Sequence, residues 1–227
     1  MIVDPQSDLP TFADVLAAAR SVSQVARRTP LLRSDHIDRE AGREVWFKPE
    51  CLQYTGSFKI RGAWNRCNQI PEADRARGVL AYSSGNHAQG VAASARRLGM
   101  PATIVMPADA PRLKVAGTEK LGASVRLYDR LNESREAIGA EWADTTGATL
   151  IRPFEDAYVI AGQATATLEA VQDARAQGTE FETMLCPASG GGLLAGASLV
   201  LSELNPRTSL LVAEPLAHDD HVRSLAA

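Results

Sequence analysis

An α/β fold with largely parallel sheets is what this sequence of 227 residues predicts, and three observations carry that expectation. From about residue 44 onward, short β-rich runs alternate with longer segments of helical period. Hydrophobic residues make up 45% of the chain and charged residues 22%, ordinary values for a sequence that buries a core. Glycine and proline punctuate the ends of the helical segments. Alternation of this kind favours parallel strands covered by helices.

In order, a strand over residues 44–47 leads to a helix over 57–69. A strand at 79–82 then precedes a helix at 86–98, which Gly99 closes ahead of Pro101. After a strand at 103–106, Pro111 opens the helix 111–121, at a position where its missing N–H costs nothing, and Gly122 follows it. The remaining strands are 124–127, 149–152, 183–186 and 209–213, separated by helices at 132–144, 160–176 and 193–204. No internal repeat or low-complexity tract interrupts the series. A weak shift in composition sets residues from about 80 to 150 apart as one βα set inserted between the segments around it.

Lys and Arg number 24 against 27 Asp and Glu, a net charge of −3, so there is no basic field to collect a phosphate backbone and nucleic acid is not an expected partner. Cys51, Cys67 and Cys186 are widely spaced and form neither a CxxC pair nor a disulfide framework, which fits a reducing cytoplasm. The opening MIVDPQSDLPTF carries acids and prolines where a secretory leader needs a basic start and an apolar run. The apolar stretch 193–201 is interrupted by Gly and Ser and is far short of the roughly 20 residues a membrane span requires. A cytoplasmic protein with no membrane partner is expected.

Ligands of open α/β sheets bind beyond the carboxyl ends of the strands, which directs attention to four loops: 48–63, 83–87, 187–196 and 214–220. All four are expected on one edge of the sheet. Ser189-Gly190-Gly191-Gly192 lies between a strand and a helix, an arrangement that turns backbone N–H groups outward as an anion cradle. It lacks the features of a P-loop or a dinucleotide fingerprint, so a single phosphate suits it better; a tight turn with close helix packing fits the same residues. Lys59 begins a helix beside Phe58, where an apolar wall disfavours the ammonium and leaves an amine able to attack a carbonyl, although most lysines are solvated surface groups. The loop Ser83-Ser84-Gly85-Asn86-His87 offers donors for a carboxylate, or simply caps for the helix that follows.

Together, SFKIRGA, SSGNHAQG, SGGGLLAG and the AEP of 213–215 resemble, in order, the motif set of the pyridoxal-phosphate-dependent serine/threonine dehydratase and serine racemase family, of fold type II. The similarity runs from about Thr29 to the C-terminus. It implies two open, largely parallel sheets, a discontinuous large cofactor-binding domain (1–79 and 152–227), and a small mobile domain (80–151) that closes over the substrate. By the same resemblance Lys59 holds pyridoxal 5'-phosphate covalently with Phe58 against its ring. Asn86 meets the ring 3-hydroxyl, and Ser189, Gly190, Gly191, Gly192 and Leu193 bind the phosphate. Ser83, Ser84, Gly85 and His87 line the substrate-carboxylate site, with a packed structural histidine as the other reading of His87. The implied reaction eliminates water from a hydroxy amino acid such as L-threonine or L-serine, giving a 2-oxo acid and ammonia. Lys59 and Ser84 are its catalytic residues. A serine at position 84 also permits racemisation, since it offers a proton on the face away from the lysine.

Glu214 and Asp220, with His218 between them, resemble the family's Mg2+ or Ca2+ site; an ordinary solvated loop is the alternative. Related enzymes are commonly homo-oligomers. Members of the family continue beyond the position of Ala227, into strands, covering helices and the serine or cysteine that meets the pyridine nitrogen. For this chain the resemblance therefore implies an incomplete large domain, lower stability, self-association, and slow turnover or cofactor binding without turnover.

Overall fold

The computed structural model describes residues 8–226; residues 1–7, which open the stretch read above for a leader, and Ala227 lie outside the described residues. In chain order the helices and strands are α1 (Phe12–Val22), β1 (Leu32–Arg33), α2 (Asp35–Ala41), β2 (Trp46–Phe47), α3 (Lys59–Asn68), β3 (Val79–Tyr82), α4 (Asn86–Arg97), β4 (Ala102–Pro107), α5 (Arg112–Lys120), β5 (Ser124–Tyr128), α6 (Arg135–Thr146), β6 (Thr149–Leu150), α7 (Ala157–Ala176), β7 (Thr183–Pro187), α8 (Gly192–Leu204), β8 (Ser209–Ala213) and α9 (Asp220–Ala226). Every strand and helix expected from the sequence is present. The helices α1, α2 and α9 and the strand β1 were not expected. The start of α1 carries a readable signal, because Thr11 and Asp14 cap each other's backbone in a capping box.

The strands form a four-stranded parallel sheet in the order β5-β4-β3-β6, a two-stranded parallel sheet β7-β8, and a two-stranded antiparallel ladder β1-β2. The loops singled out by sequence thus follow strands of three different sheets rather than one edge. The strand before Lys59 is only two residues long and pairs with β1, so it adds no strand to either parallel sheet. Helix packing brings the loops together instead.

Two close crossings make that packing possible. A Cβ on Gly162 of α7 would stand 2.6 Å from the Arg61 carbonyl oxygen, and one on Gly62 of α3 would stand 2.8 Å from that of Val159, so α3 and α7 touch through their backbones. Any side chain there would push the helices apart. Across the same contact Arg61, fully buried, pairs with Glu50 (2.7 Å) and Glu169 (2.8 Å), and Glu169 also receives Lys48 (2.7 Å). Burial opposes the Arg61 charge, but the hydrogen bonds with the two carboxylates outweigh it and the net pKa is raised. Above α3, residues Ala63, Cys67 and Ile70 share one core with Val79, Ile104, Met106 and Val91 of the four-stranded sheet and α4. Among the described residues no helix is long and apolar enough to cross a membrane.

Candidate active site

Lys59 is the first residue of α3, so its position follows from the crossing just described. Its Nζ donates to the Pro153 carbonyl oxygen at 2.8 Å and lies 5.2 Å from the centre of the Phe58 ring. Burial lowers its pKa to about 8. The sequence-derived expectation of an amine with a disfavoured charge therefore has a structural basis: the low polarity around Nζ penalises the ammonium. Helix α4 approaches from the other side through Gly90, where a Cβ would stand 3.1 Å from the Lys59 carbonyl.

That contact brings the loop 83–87 beside α3. The Ser83 hydroxyl accepts from the Gly85 N–H (3.2 Å), which tightens the loop on itself. Asn86 is exposed at the first position of α4. His87 is turned inward and is only 3% exposed, with Nε2 at 2.9 Å from the Ile151 carbonyl oxygen. Burial, with a smaller contribution from the Lys59 charge, lowers its pKa to about 4 against the opposing hydrogen bond to Ile151. Its ring is turned toward the interior, with Nδ1 buried and without a hydrogen-bond partner among the described residues.

The glycine loop lies at the N-terminus of α8, with Gly191 at φ +80° as the residue before the helix. A Cβ on Gly190 would overlap the ring of Phe154, and one on Gly192 would lie 2.9 Å from Gln163 Oε1, so the loop hugs α7 and the segment before it. Ser189 and Gly190 face a cavity that Phe154, Asp220, His221 and Ser224 also line. Helices α4 and α8, which start at two of the motifs, carry no side-chain cap, as is also true of α2 and α5, while at α3 the Ser57 hydroxyl accepts from the Lys59 N–H (3.4 Å); α1, α6 and α7 are capped by Thr11, Ser134 and Asp156. Uncapped N–H groups at the starts of α4 and α8 are available to an anion. Phe58 and Leu193 are half-buried at the edges of the same region.

A second pocket, about 220 Å³, opens at the carboxyl ends of β3, β4 and β5. Ser83 and Ser84 form one side, and Tyr128, Arg130 and Arg135 another. Arg130 pairs with Asp109 at 2.7 Å, while Arg135 pairs with Glu136 and stands 5.3 Å over the Tyr82 ring. Both arginines, together with Pro153, Phe154 and Gln163, escaped the sequence reading. The loop after β6 lies at a strand's carboxyl end like the other four, and that rule alone would have singled out Pro153 and Phe154.

Of the residues expected at a cation, Glu214 has a neighbour of its own: its carboxylate accepts from His221 Nδ1 at 2.6 Å and from the His221 backbone N–H at 3.2 Å. Among the described residues no group of three His, Cys, Asp or Glu is placed to hold a metal ion. A histidine one residue beyond the expected ligands supplies the donors that Glu214 needs.

The family model described as pyridoxal-phosphate dependent enzyme matches residues 22–227. The L-threo-3-hydroxyaspartate ammonia-lyase of a Pseudomonas species is 45% identical over 216 residues, 95% of this chain and 66% of that protein. The serine racemase of Schizosaccharomyces pombe is 41% identical over 95% of this chain and 66% of its own length. Among solved structures, a threonine deaminase from T.th. superposes with a TM-score of 0.89 at 43% identity, over 96% of this chain and 69% of that one. Maize serine racemase gives 0.92 at 37%, over 96% and 65%. The chain thus spans about two thirds of the length of the curated relatives it matches.

Proposed function

This chain belongs to the pyridoxal-phosphate-dependent enzymes of fold type II, and on that footing we propose that it binds pyridoxal phosphate on Lys59 and eliminates water from a β-hydroxy amino acid, giving a 2-oxo acid and ammonia. The observation that carries this reading is the half-buried Lys59 amine, tied through Pro153 and Phe154 to an uncapped glycine loop. The residues present fit the group: the lysine's charge is disfavoured, and the cradle at Gly190 to Gly192 admits no side chain. In this reading Ser189, Gly190, Gly191, Gly192 and Leu193 hold the phosphate, Phe58 flanks the ring, and Asn86 meets its hydroxyl.

When bound, the cofactor supplies an electron sink for charge developing at the substrate α-carbon. Lys59, with a pKa near the operating pH, takes the α-proton. The uncapped start of α4 and the hydroxyls of Ser83 and Ser84 orient the substrate carboxylate. Buried and neutral, His87 fixes the floor of that loop through Ile151. Residues 80–151 form the unit proposed to close and exclude water; the four strands of the larger sheet support that choice, and the shared core with Ala63 and Cys67 puts α3 at its seam.

Two features refine the substrate. Arg130 and Arg135, each paired with a surface carboxylate (Asp109 and Glu136), border the pocket that begins at Ser83 and Ser84, so a substrate side-chain carboxylate that displaced those partners would meet two cations, which supports an acidic substrate such as 3-hydroxyaspartate beside threonine and serine. Ser84 on the same wall supports racemisation as a companion activity.

The test is to load the purified chain with pyridoxal phosphate, reduce it with borohydride, and map the modified peptide. Each of the three amino acids is then assayed for 2-oxo acid and ammonia. Modification at Lys59 with turnover of 3-hydroxyaspartate beside threonine and serine is expected. An adduct at Lys48 or Lys114 instead, or no 2-oxo acid from any of the three, would overturn the reading.

A further inference from the structure

Gln163 is the one fully buried amide on α7, set in a run of small residues, Ala161-Gly162-Gln163-Ala164-Thr165, that otherwise serves close packing. An apolar side chain of its length would fill the same space without a desolvation cost. Yet its Nε2 donates to the Pro153 carbonyl oxygen (3.4 Å), the same oxygen that accepts Lys59 Nζ at 2.8 Å. Its Oε1 has no hydrogen-bond partner and lies 2.9 Å from the Cβ position of Gly192. A buried, half-satisfied amide carries a desolvation cost that an apolar residue would not. It is kept at the one place where the lysine's acceptor and the glycine loop are both within reach of a single side chain.

From this geometry we infer that Gln163 is a positioning residue for Lys59: it holds the Pro153 carbonyl as the resting place of Nζ and shares that oxygen with it. The inference rests on the proposed role of Lys59 and adds a residue that acts on the lysine without touching the substrate. A carbonyl oxygen with two donors is a weaker acceptor for each. While the Gln163 amide occupies part of it, the ammonium of Lys59 is held less tightly, and its proton leaves more readily. The titratable group with a charge interaction at Lys59 is His87, from α4, which is buried and neutral near pH 7. Burial is otherwise the cause acting on the lysine, so the shared carbonyl is the polar contact that can be varied.

The experiment measures the pH dependence of acetylation of Lys59 in the full chain without cofactor, read by peptide mass, for the wild type, Gln163→Met and Gln163→Glu. Methionine keeps the length and removes the donor, so the midpoint should rise by roughly half to one pH unit, the equivalent of one ordinary hydrogen bond. Glutamate puts an opposite charge near Nζ and should raise it further, by roughly one to three units. Melting curves establish that each variant is folded, and the glutamate preserves the side-chain shape should methionine unfold the chain. Profiles that superimpose on the wild type, or a midpoint that falls in Gln163→Met, would overturn the inference. Failure of the wild type to form a Lys59 adduct with pyridoxal phosphate would instead overturn the proposed function, while leaving the acetylation profiles interpretable.

Discussion

The two parallel sheets are built from similar βα units but are treated very differently by the rest of the chain. In β3, Val79, Leu80 and Ala81 are buried, and β4 hides all but Thr103. In β8 no residue is buried, and in β7 only Cys186 is. Leu185 is 67% exposed and Leu211 50%, in strands of a type normally covered on both faces. The candidate site draws on both. The covered sheet supplies the pocket at Ser83 and Ser84, and the open one supplies the glycine loop. A covered sheet and an exposed one thus meet at Lys59 and Pro153. The comparison teaches that strand sequence sets the type of sheet, while its energetic weight depends on what packs over it.

The largest test of that contrast is Ile104→Ala in the covered sheet. Ile104 is fully buried within the core shared with α3 and α4, so a cavity should cost about 2–5 kcal/mol, measured by urea unfolding. A loss below about 1 kcal/mol would erase the distinction between the sheets.

Acid should weaken the covered side next. His87 has its pKa lowered to about 4 from 6.5. The unfolded chain therefore binds its proton more readily, and the stability contributed by keeping it neutral is complete above about pH 6.5 and lost as pH falls toward 4. On the order of 3 kcal/mol is at stake. Unfolding curves across that range should show the slope in the wild type and a flatter one in His87→Gln.

On the open side, function should suffer more than stability. Gly190→Ala displaces the Phe154 ring and disturbs the N–H groups of the cradle, so affinity for pyridoxal phosphate should fall roughly tenfold, about 1.4 kcal/mol. Absorbance titration measures it, and an unchanged affinity would separate the loop from the phosphate. The smallest effect is expected for Leu185→Ser. Its side chain is already largely in water, so stability should move by no more than about 0.5 kcal/mol in urea unfolding.

The sequence by itself determined the alternation of strands and helices, because the apolar period is a local property that each segment expresses alone. It also placed Lys59, the glycine loop and Ser83 to His87 at element ends, since glycines and small polar residues mark where strands give way to helices. Tertiary structure alone decided what those ends meet. That β2 joins a separate ladder depends on β1, far from the motif in character and only two residues long. Whether His87 faces substrate or core depends on the carbonyl of Ile151, 64 residues away. Glu214 resembles a family cation ligand in sequence, whereas the imidazole from which it accepts is brought to it by the fold of α9. Gln163 looks like one polar residue in a helix of small ones until α3, α7 and α8 are packed. Only then does one amide lie between a lysine from position 59 and a loop at 190–192. Contacts at such separations are set by backbone approach and by the pairing of buried polar groups, which no local pattern encodes.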